Sequence, residues 1–213
     1  MIKVHATKKL LDKLPLDEEG FLPSKYDLPA SGSETLNSDD SWLSGWHANI
    51  FILQRRNCLL FVHDKTRFAV FMPMLNKADY ADLDFLFQDI LMNALLKAGI
   101  EPDVLEQAAL QLQPLCFDGD TDRSVQSSMT QIKLDLESMI SSQGLKIQDV
   151  PAYSASAYVS GLYRSVKDRK DMITPMDEMI EFLKVGELKS PLLAQIDQSS
   201  SADIIQFSDF KKT

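Results

Sequence analysis

An acidic turn, Asp118-Gly119-Asp120-Thr121-Asp122, has the most suggestive spacing of ligand atoms in the sequence. An EF-hand loop places its first calcium ligands at alternate positions in the same way. That loop also needs glycine at position 6 and glutamate at position 12, where this chain has Arg123 and Met129. The Asp-x-Asp pattern of this turn also resembles the nucleophile motif of aspartyl-phosphate enzymes. The alternating strand and helix repeats of those enzymes are missing from the sequence. We interpret the segment as an acidic turn that precedes a helix N-terminus, where carboxylates favour the helix dipole.

The three histidines, His5, His47 and His63, lie on or beside predicted strands. None belongs to an HExxH motif or to another pair with metal-ligand spacing. A single strand histidine is more often a satisfied core or edge residue than a ligand, so we assign no metal and no cofactor. Convergence of these residues in the fold would change that assignment. Glycine-rich phosphate loops and GxSxG elbows are also missing from the sequence, and no catalytic residue is assigned.

Five residues that the pattern does not require for a core form a candidate ligand or motif cluster: Trp46, Asn49, Thr66, Arg123 and Ser124. Arg123 carries a fork of N–H donors that fits a carboxylate or a phosphate, although pairing with Asp120 or Asp122 would also satisfy it. A buried pair of Trp46 and Asn49 that orders the entry to a hairpin is the structural alternative.

Charge is unevenly distributed along the 213 residues, whose formal net charge is -9. Residues 79 to 122 contain one base and ten acids, 1 - 10 = -9, whereas residues 51 to 77 contain five bases and one acid, 5 - 1 = +4. The basic residues Arg55, Arg56, Lys65 and Arg67 could steer a polyanion. Charged turn ends that keep hairpins soluble are the simpler interpretation, and a net acidic chain repels nucleic acid. We therefore expect a protein or a small ligand as partner rather than nucleic acid.

Composition favours a cytoplasmic globular protein. The longest apolar runs, at 58–62 and 68–72, are far shorter than the roughly 18 residues that cross a bilayer, so we expect no membrane association. Residues 1–14 lack the apolar stretch of a signal peptide. Cys58 and Cys116 have no CxxC spacing, which is typical of free, buried thiols in a reducing compartment.

Hydrophobic periodicity predicts the elements that must position these residues. The chain opens with a strand at 2–6 and a helix at 8–14, followed by a long loop at 15–41. Three runs predict an antiparallel meander: 48–53, 58–63 and 67–72. A short strand is predicted at 115–117. The predicted helices are 79–98, 102–113, 124–142, 153–162 and 175–185.

These elements predict an α+β fold, in which helices pack on the antiparallel meander and the N-terminal strand. We expect a single domain over residues 1–189, with the loop at 15–41 as an excursion. The segment 190–213 is rich in Ser, Asp and Gln and is expected to be a flexible tail.

Three motifs in order along the chain carry a family resemblance. They are Ala-Thr-Lys-Lys-Leu at 6–10, Leu-Ser-Gly-Trp-His-Ala-Asn at 43–49 and Arg-Ser-Val at 123–125. Together they resemble a bacterial family catalogued as domain of unknown function 6933, over about residues 2–140. His47 departs from the tyrosine usual in the family, and Gln126-Ser127-Ser128-Met129 replaces a more typical Leu-Gly-Ser-Met. The resemblance implies a fold and a bacterial source, and it brings no activity with it.

Three functional hypotheses follow. The first and favoured one is a non-enzymatic binding or interaction module. The second is an enzyme or small-ligand binder with a site near Trp46, Asn49 and Arg123. The third is a nucleic-acid-associated regulator that uses the basic hairpin.

Overall fold

A computed structural model of the chain describes residues 1–23, 41–167 and 169–187. These residues form a mixed five-stranded sheet with helices packed against it, which confirms the predicted α+β class. The predicted tail at 190–213 and most of the predicted loop at 15–41 lie outside the described residues. The division into one domain and a tail therefore stays a prediction.

The sheet consists of β1 (Ile2–Ala6), β2 (Trp46–Leu53), β3 (Arg56–His63), β4 (Ala69–Met72) and β5 (Leu115–Asp118). Its strand order is β4-β3-β2-β1-β5. The meander β2 to β4 is antiparallel, as predicted, whereas β1 pairs in parallel with both β2 and β5. The sheet is therefore mixed rather than purely antiparallel. Each of these pairs is joined through a long connection, and only such a connection permits parallel pairing.

The helices are α1 (Lys8–Leu11), α2 (Leu83–Lys97), α3 (Pro102–Leu110), α4 (Arg123–Ser142), α5 (Ala152–Ser160) and α6 (Pro175–Glu187). Each of them overlaps a helix that the sequence predicts. The first is shorter than predicted because Lys13 and Leu14 bond to carbonyls only three residues back, which tightens its last turn. Within the described ranges, no helix combines the length and apolarity needed to span a membrane.

Two apolar cores lie on opposite faces of the sheet. Ala48 and Ile50 of β2 face a core with α2, α3 and α6, and Phe51 and Leu53 face a second core with α4 and α5. Two-sided burial explains why the meander strands are apolar at nearly every position.

Among the described residues, the second core does not extend over β1 and β5. Ile2, Val4 and Phe117 of these strands belong to the first core. The residues that alternate with them point to the other face and belong to neither core: Lys3, His5, Cys116 and Asp118. We call this half of the sheet the open face. Cys116 is half-buried on the open face, whereas Cys58 is buried in the second core, and both thiols are free.

His63 is a core histidine held in the neutral state. Its ring lies 5.0 Å from that of Trp46 and 4.8 Å from that of Phe182. Thr66 Oγ1 accepts from the Phe68 N–H and lies 2.9 Å from His63 Nδ1, so the threonine hydroxyl donates to that nitrogen. Burial is the largest cause that lowers the pKa of His63 from 6.5 to about 4.

The first prediction concerns this histidine. Because its folded pKa lies below its unfolded pKa, the stability linked to neutral His63 is complete above about pH 6.5 and is lost as the pH falls towards about 4, on the order of 3 kcal/mol in all. Urea unfolding at about pH 7.5 and about pH 4.5 should show a smaller loss for His63→Gln than for wild type. Equal losses in the two proteins would contradict the prediction.

The second prediction concerns Gly20, which approaches the backbone of β5. Its carbonyl accepts from the Phe117 N–H at 2.8 Å, its φ is +89°, and an added Cβ would lie 2.5 Å from the Phe117 carbonyl oxygen. Gly99 is the matched control, since its φ is +76° but a Cβ there meets nothing within 4 Å. Gly99→Ala should cost about 1 kcal/mol of unfolding free energy from backbone strain, and Gly20→Ala about 1–3 kcal/mol more from the clash. Similar unfolding midpoints for the two variants would refute this difference.

Candidate functional site

Two histidines and a carboxylate stand side by side on the open face. In the sheet register His5 of β1 pairs with His47 of β2 on one side and with Asp118 of β5 on the other. Paired residues on neighbouring strands point to the same face. The two imidazole rings accordingly lie 5.0 Å apart. Two more carboxylates complete what we call the His–Asp site: His5, His47, Asp64, Asp118 and Asp120.

His47 is buried and has a fixed tautomer. Its Nε2 accepts the backbone N–H of Asp122 at 2.7 Å, and its Nδ1 lies 2.6 Å from Asp64 Oδ1. Because Nε2 is an acceptor, a neutral ring carries its proton on Nδ1 and donates it to Asp64. Both nitrogens of His47 are therefore occupied, and the residue orients Asp64 rather than offering a free ligand atom.

His5 is only half-buried, and one edge of its ring remains available. Its Nδ1 lies 2.6 Å from Asp118 Oδ1, while its Nε2 is 3.9 Å from Asp64 Oδ2. Asp118 Oδ1 also accepts the Asp120 N–H at 3.0 Å, and this local turn brings the Asp120 carboxylate back towards the strand end. One ligand atom each from His5, Asp118 and Asp120 lies within 4.8 Å of the other two.

Asp122 connects the site to helix α4. Its carboxylate accepts the N–H groups of Ser124 at 2.6 Å and Val125 at 3.2 Å, which makes it the N-cap of the helix. These two hydrogen bonds are the main cause that lowers the pKa of Asp122. The prediction that the acidic turn precedes a helix N-terminus is thus confirmed. The three carboxylates of the turn therefore have different roles. Asp118 and Asp120 converge with His5, whereas Asp122 caps the helix.

Arg67 lies beside this cap. Its Nη2 donates to Ser124 Oγ at 3.1 Å, and its side chain is almost fully buried. Burial lowers the pKa of Arg67, while the nearby charges of Asp64 and Asp122 act in the opposite direction. The guanidinium thus shares its surroundings with two aspartates that bond to His47, Asp64 through its carboxylate and Asp122 through its backbone N–H.

The five residues of the predicted cluster occupy several places. Trp46 is buried in the first core, where its indole N–H donates to the Leu43 carbonyl at 2.7 Å. Asn49 is three positions along β2 and points to the opposite face, where its amide oxygen accepts from Thr7 Oγ1 at 2.9 Å. Because the two side chains point to opposite faces, a buried pair of Trp46 and Asn49 does not order the entry to the hairpin.

Of the other three, Thr66 is buried against His63, Arg123 is exposed at the start of α4, and Ser124 accepts the bond from Arg67. Ser124 is linked to the His–Asp site through Asp122, which bonds to both Ser124 and His47. The five side chains are spread over both faces of the sheet, and a ligand role for them stays a prediction.

The four basic residues of the hairpin are likewise separated. Arg55 lies in the turn before β3 and Arg56 is the first residue of that strand, whereas Lys65 and Arg67 follow its other end. Eight residues of strand place these pairs about 25 Å apart. Arg67 is buried as well, so the structure does not join the four into one basic patch.

Sequence inspection missed the His–Asp site because its members are far apart in the chain: His5 and Asp118 are separated by 113 positions. One signal was available, since His5, Asp64 and Asp118 each stand at or directly after the carboxyl end of a strand. That signal becomes informative only once β1 is known to pair with both β2 and β5.

Comparison with known proteins identifies the family. The family model described as domain of unknown function (DUF6933) matches residues 3–178. No curated protein and no solved structure matches the chain. The matched range extends past residue 140, the end suggested by the three motifs, and it contains the whole His–Asp site and all five strands except Ile2, the first residue of β1. The chain therefore belongs to the DUF6933 family.

Proposed function

We propose that the protein is a binding module, non-enzymatic as the sequence suggested, whose ligand is a divalent transition-metal ion held by His5, Asp118 and Asp120. The observation that carries the proposal is the convergence of one donor atom from each residue within 4.8 Å at the open face. Ligands about 2.0–2.2 Å from one ion lie no more than about 4.4 Å from each other. Small side-chain adjustments would therefore close the observed spacing around an ion.

The donor set favours particular metals. Imidazole nitrogen suits zinc, iron and copper, whereas carboxylate oxygen also suits magnesium, calcium and manganese. One nitrogen with two carboxylate oxygens favours Zn²⁺ or Mn²⁺ over Ca²⁺, whose sites are built from oxygen alone. Three protein ligands also leave a coordination position open for a further molecule.

The surroundings support a cation at this place. Asp118 Oδ1 lies 2.6 Å from His5 Nδ1, Asp120 belongs to the same group of converging ligand atoms, and Asp64 Oδ2 lies 3.9 Å from His5 Nε2. A cation would reduce the mutual repulsion of these carboxylates. It would also replace the proton that lies between His5 Nδ1 and Asp118 Oδ1, so binding should release protons and strengthen as the pH rises.

The other two hypotheses gain no support from the placement of their residues. Trp46 and Asn49 bond to different partners on opposite faces of the sheet and Arg123 is exposed, while the basic residues of the hairpin lie at opposite ends of β3.

The third prediction tests metal binding by calorimetric titration with Zn²⁺, Mn²⁺ and Ca²⁺. Wild type should bind one equivalent of Zn²⁺ or Mn²⁺ and little Ca²⁺. His5→Ala and Asp120→Asn should each weaken the affinity by at least about tenfold, since each removes a ligand atom. Asp103→Asn is the matched control, because Asp103 is an exposed aspartate on α3, and it should bind like wild type.

Two results would remove the proposal. One is the absence of binding by folded wild type at about 1 mM metal, which would mean a binding free energy weaker than about -4 kcal/mol. The other is equal affinity of wild type and both ligand variants. Circular dichroism of each variant would show that it remains folded.

A further inference from the structure

Arg67 is held in an uncommon backbone conformation. It lies in the turn between β3 and β4, where its N–H donates to the His63 carbonyl at 2.9 Å and its φ is +62°. Few residues other than glycine adopt this left-handed region, and strained residues of this kind concentrate at functional sites. The turn places a long cationic side chain inside the protein, with 7% of its surface exposed.

The guanidinium of Arg67 has more donors than acceptors around it. Nη2 donates to Ser124 Oγ, but Nε and Nη1 are buried and have no hydrogen-bond partner in the part of the chain that the structure describes. Buried polar groups in proteins are nearly always hydrogen-bonded, and an unpaired charged donor is especially unfavourable. Two spare donor nitrogens on a planar fork match the oxygens of a carboxylate or a phosphate.

A continuous series of polar contacts connects this guanidinium with the proposed metal ligands. Ser124, which accepts from Arg67, donates its N–H to Asp122, and Asp122 donates its own N–H to His47. His47 in turn bonds to Asp64, and Asp64 Oδ2 lies 3.9 Å from His5 Nε2. Arg67 therefore belongs to the same polar network as the metal ligands.

We propose that Arg67 binds the oxyanion group, carboxylate or phosphate, of a ligand that also occupies the open position of the metal ion. This inference rests on the proposed function, because the carboxylates of Asp64 and Asp122 would repel an anion at Arg67 unless a cation offset them. Metal and oxyanion should therefore bind cooperatively. By linkage, each raises the affinity for the other by the same factor.

The fourth prediction uses methylphosphonate and acetate as the oxyanion probes and Mn²⁺ as the metal. Calorimetric titration of wild type with methylphosphonate should show binding at least about tenfold stronger with bound Mn²⁺ than without it. Arg67→Gln should remove this gain and leave the affinity for Mn²⁺ within about threefold of wild type. Arg123→Gln is the matched control, since Arg123 is a neighbouring but exposed arginine, and it should behave like wild type. Comparison of the two probes distinguishes a phosphate ligand from a carboxylate ligand.

The outcomes separate the two proposals. If Mn²⁺ and Zn²⁺ do not bind, the proposed function fails and the inference fails with it. If the metal binds but neither probe binds, or if Arg67→Gln binds the probe like wild type, only the inference is overturned. Should Arg67→Gln not fold, Ser124→Ala removes the acceptor that orients Nη2, and it should weaken probe binding by about threefold to tenfold at unchanged metal affinity. Unchanged probe binding by that variant would count against Arg67.

Discussion

The pairing of β1 between β2 and β5 is the constraint on which the candidate site depends. It brings His5 into register with His47 on one side and with Asp118 on the other. The same pairing buries Ile2 and Val4 in the first core, so the contacts that stabilise the central strand also fix the histidine. The position of the site is thus determined by sheet packing rather than by a flexible loop.

The uneven cover of the sheet then leaves His5 and Asp118 partly exposed. Helices α4 and α5 close the second face over the meander, and the residues of β1 and β5 on that face lie outside both cores. At the boundary, Asp122 caps α4 with its carboxylate and holds His47 with its N–H. The start of α4 and the orientation of His47 are therefore coupled through one residue.

Local pattern predicted much of the fold and little of the site. The meander followed from apolar runs and short turns, and α4 followed from the spacing of Val125, Met129 and Ile132, because both depend on residues near one another in sequence. The parallel partners of β1 depend on contacts across long connections that carry no local signal. Each polar residue of the site therefore had a plausible isolated explanation, and the acidic turn was correctly interpreted only as far as Asp122. Arg67 was considered for its charge, whereas its burial and its unpartnered nitrogens could be known only from three-dimensional packing.

The separation of 113 positions between His5 and Asp118 also orders events during synthesis. Strand β1 is made first, but it acquires its second neighbour only after the meander, α2 and α3 have been made. An emerging chain that ends before β5 has both histidines and Asp64 but lacks Asp118 and Asp120. Any ligand that requires the complete set is therefore captured after the central strand has been enclosed on both sides, so occupancy of the site would report that the sheet has been assembled.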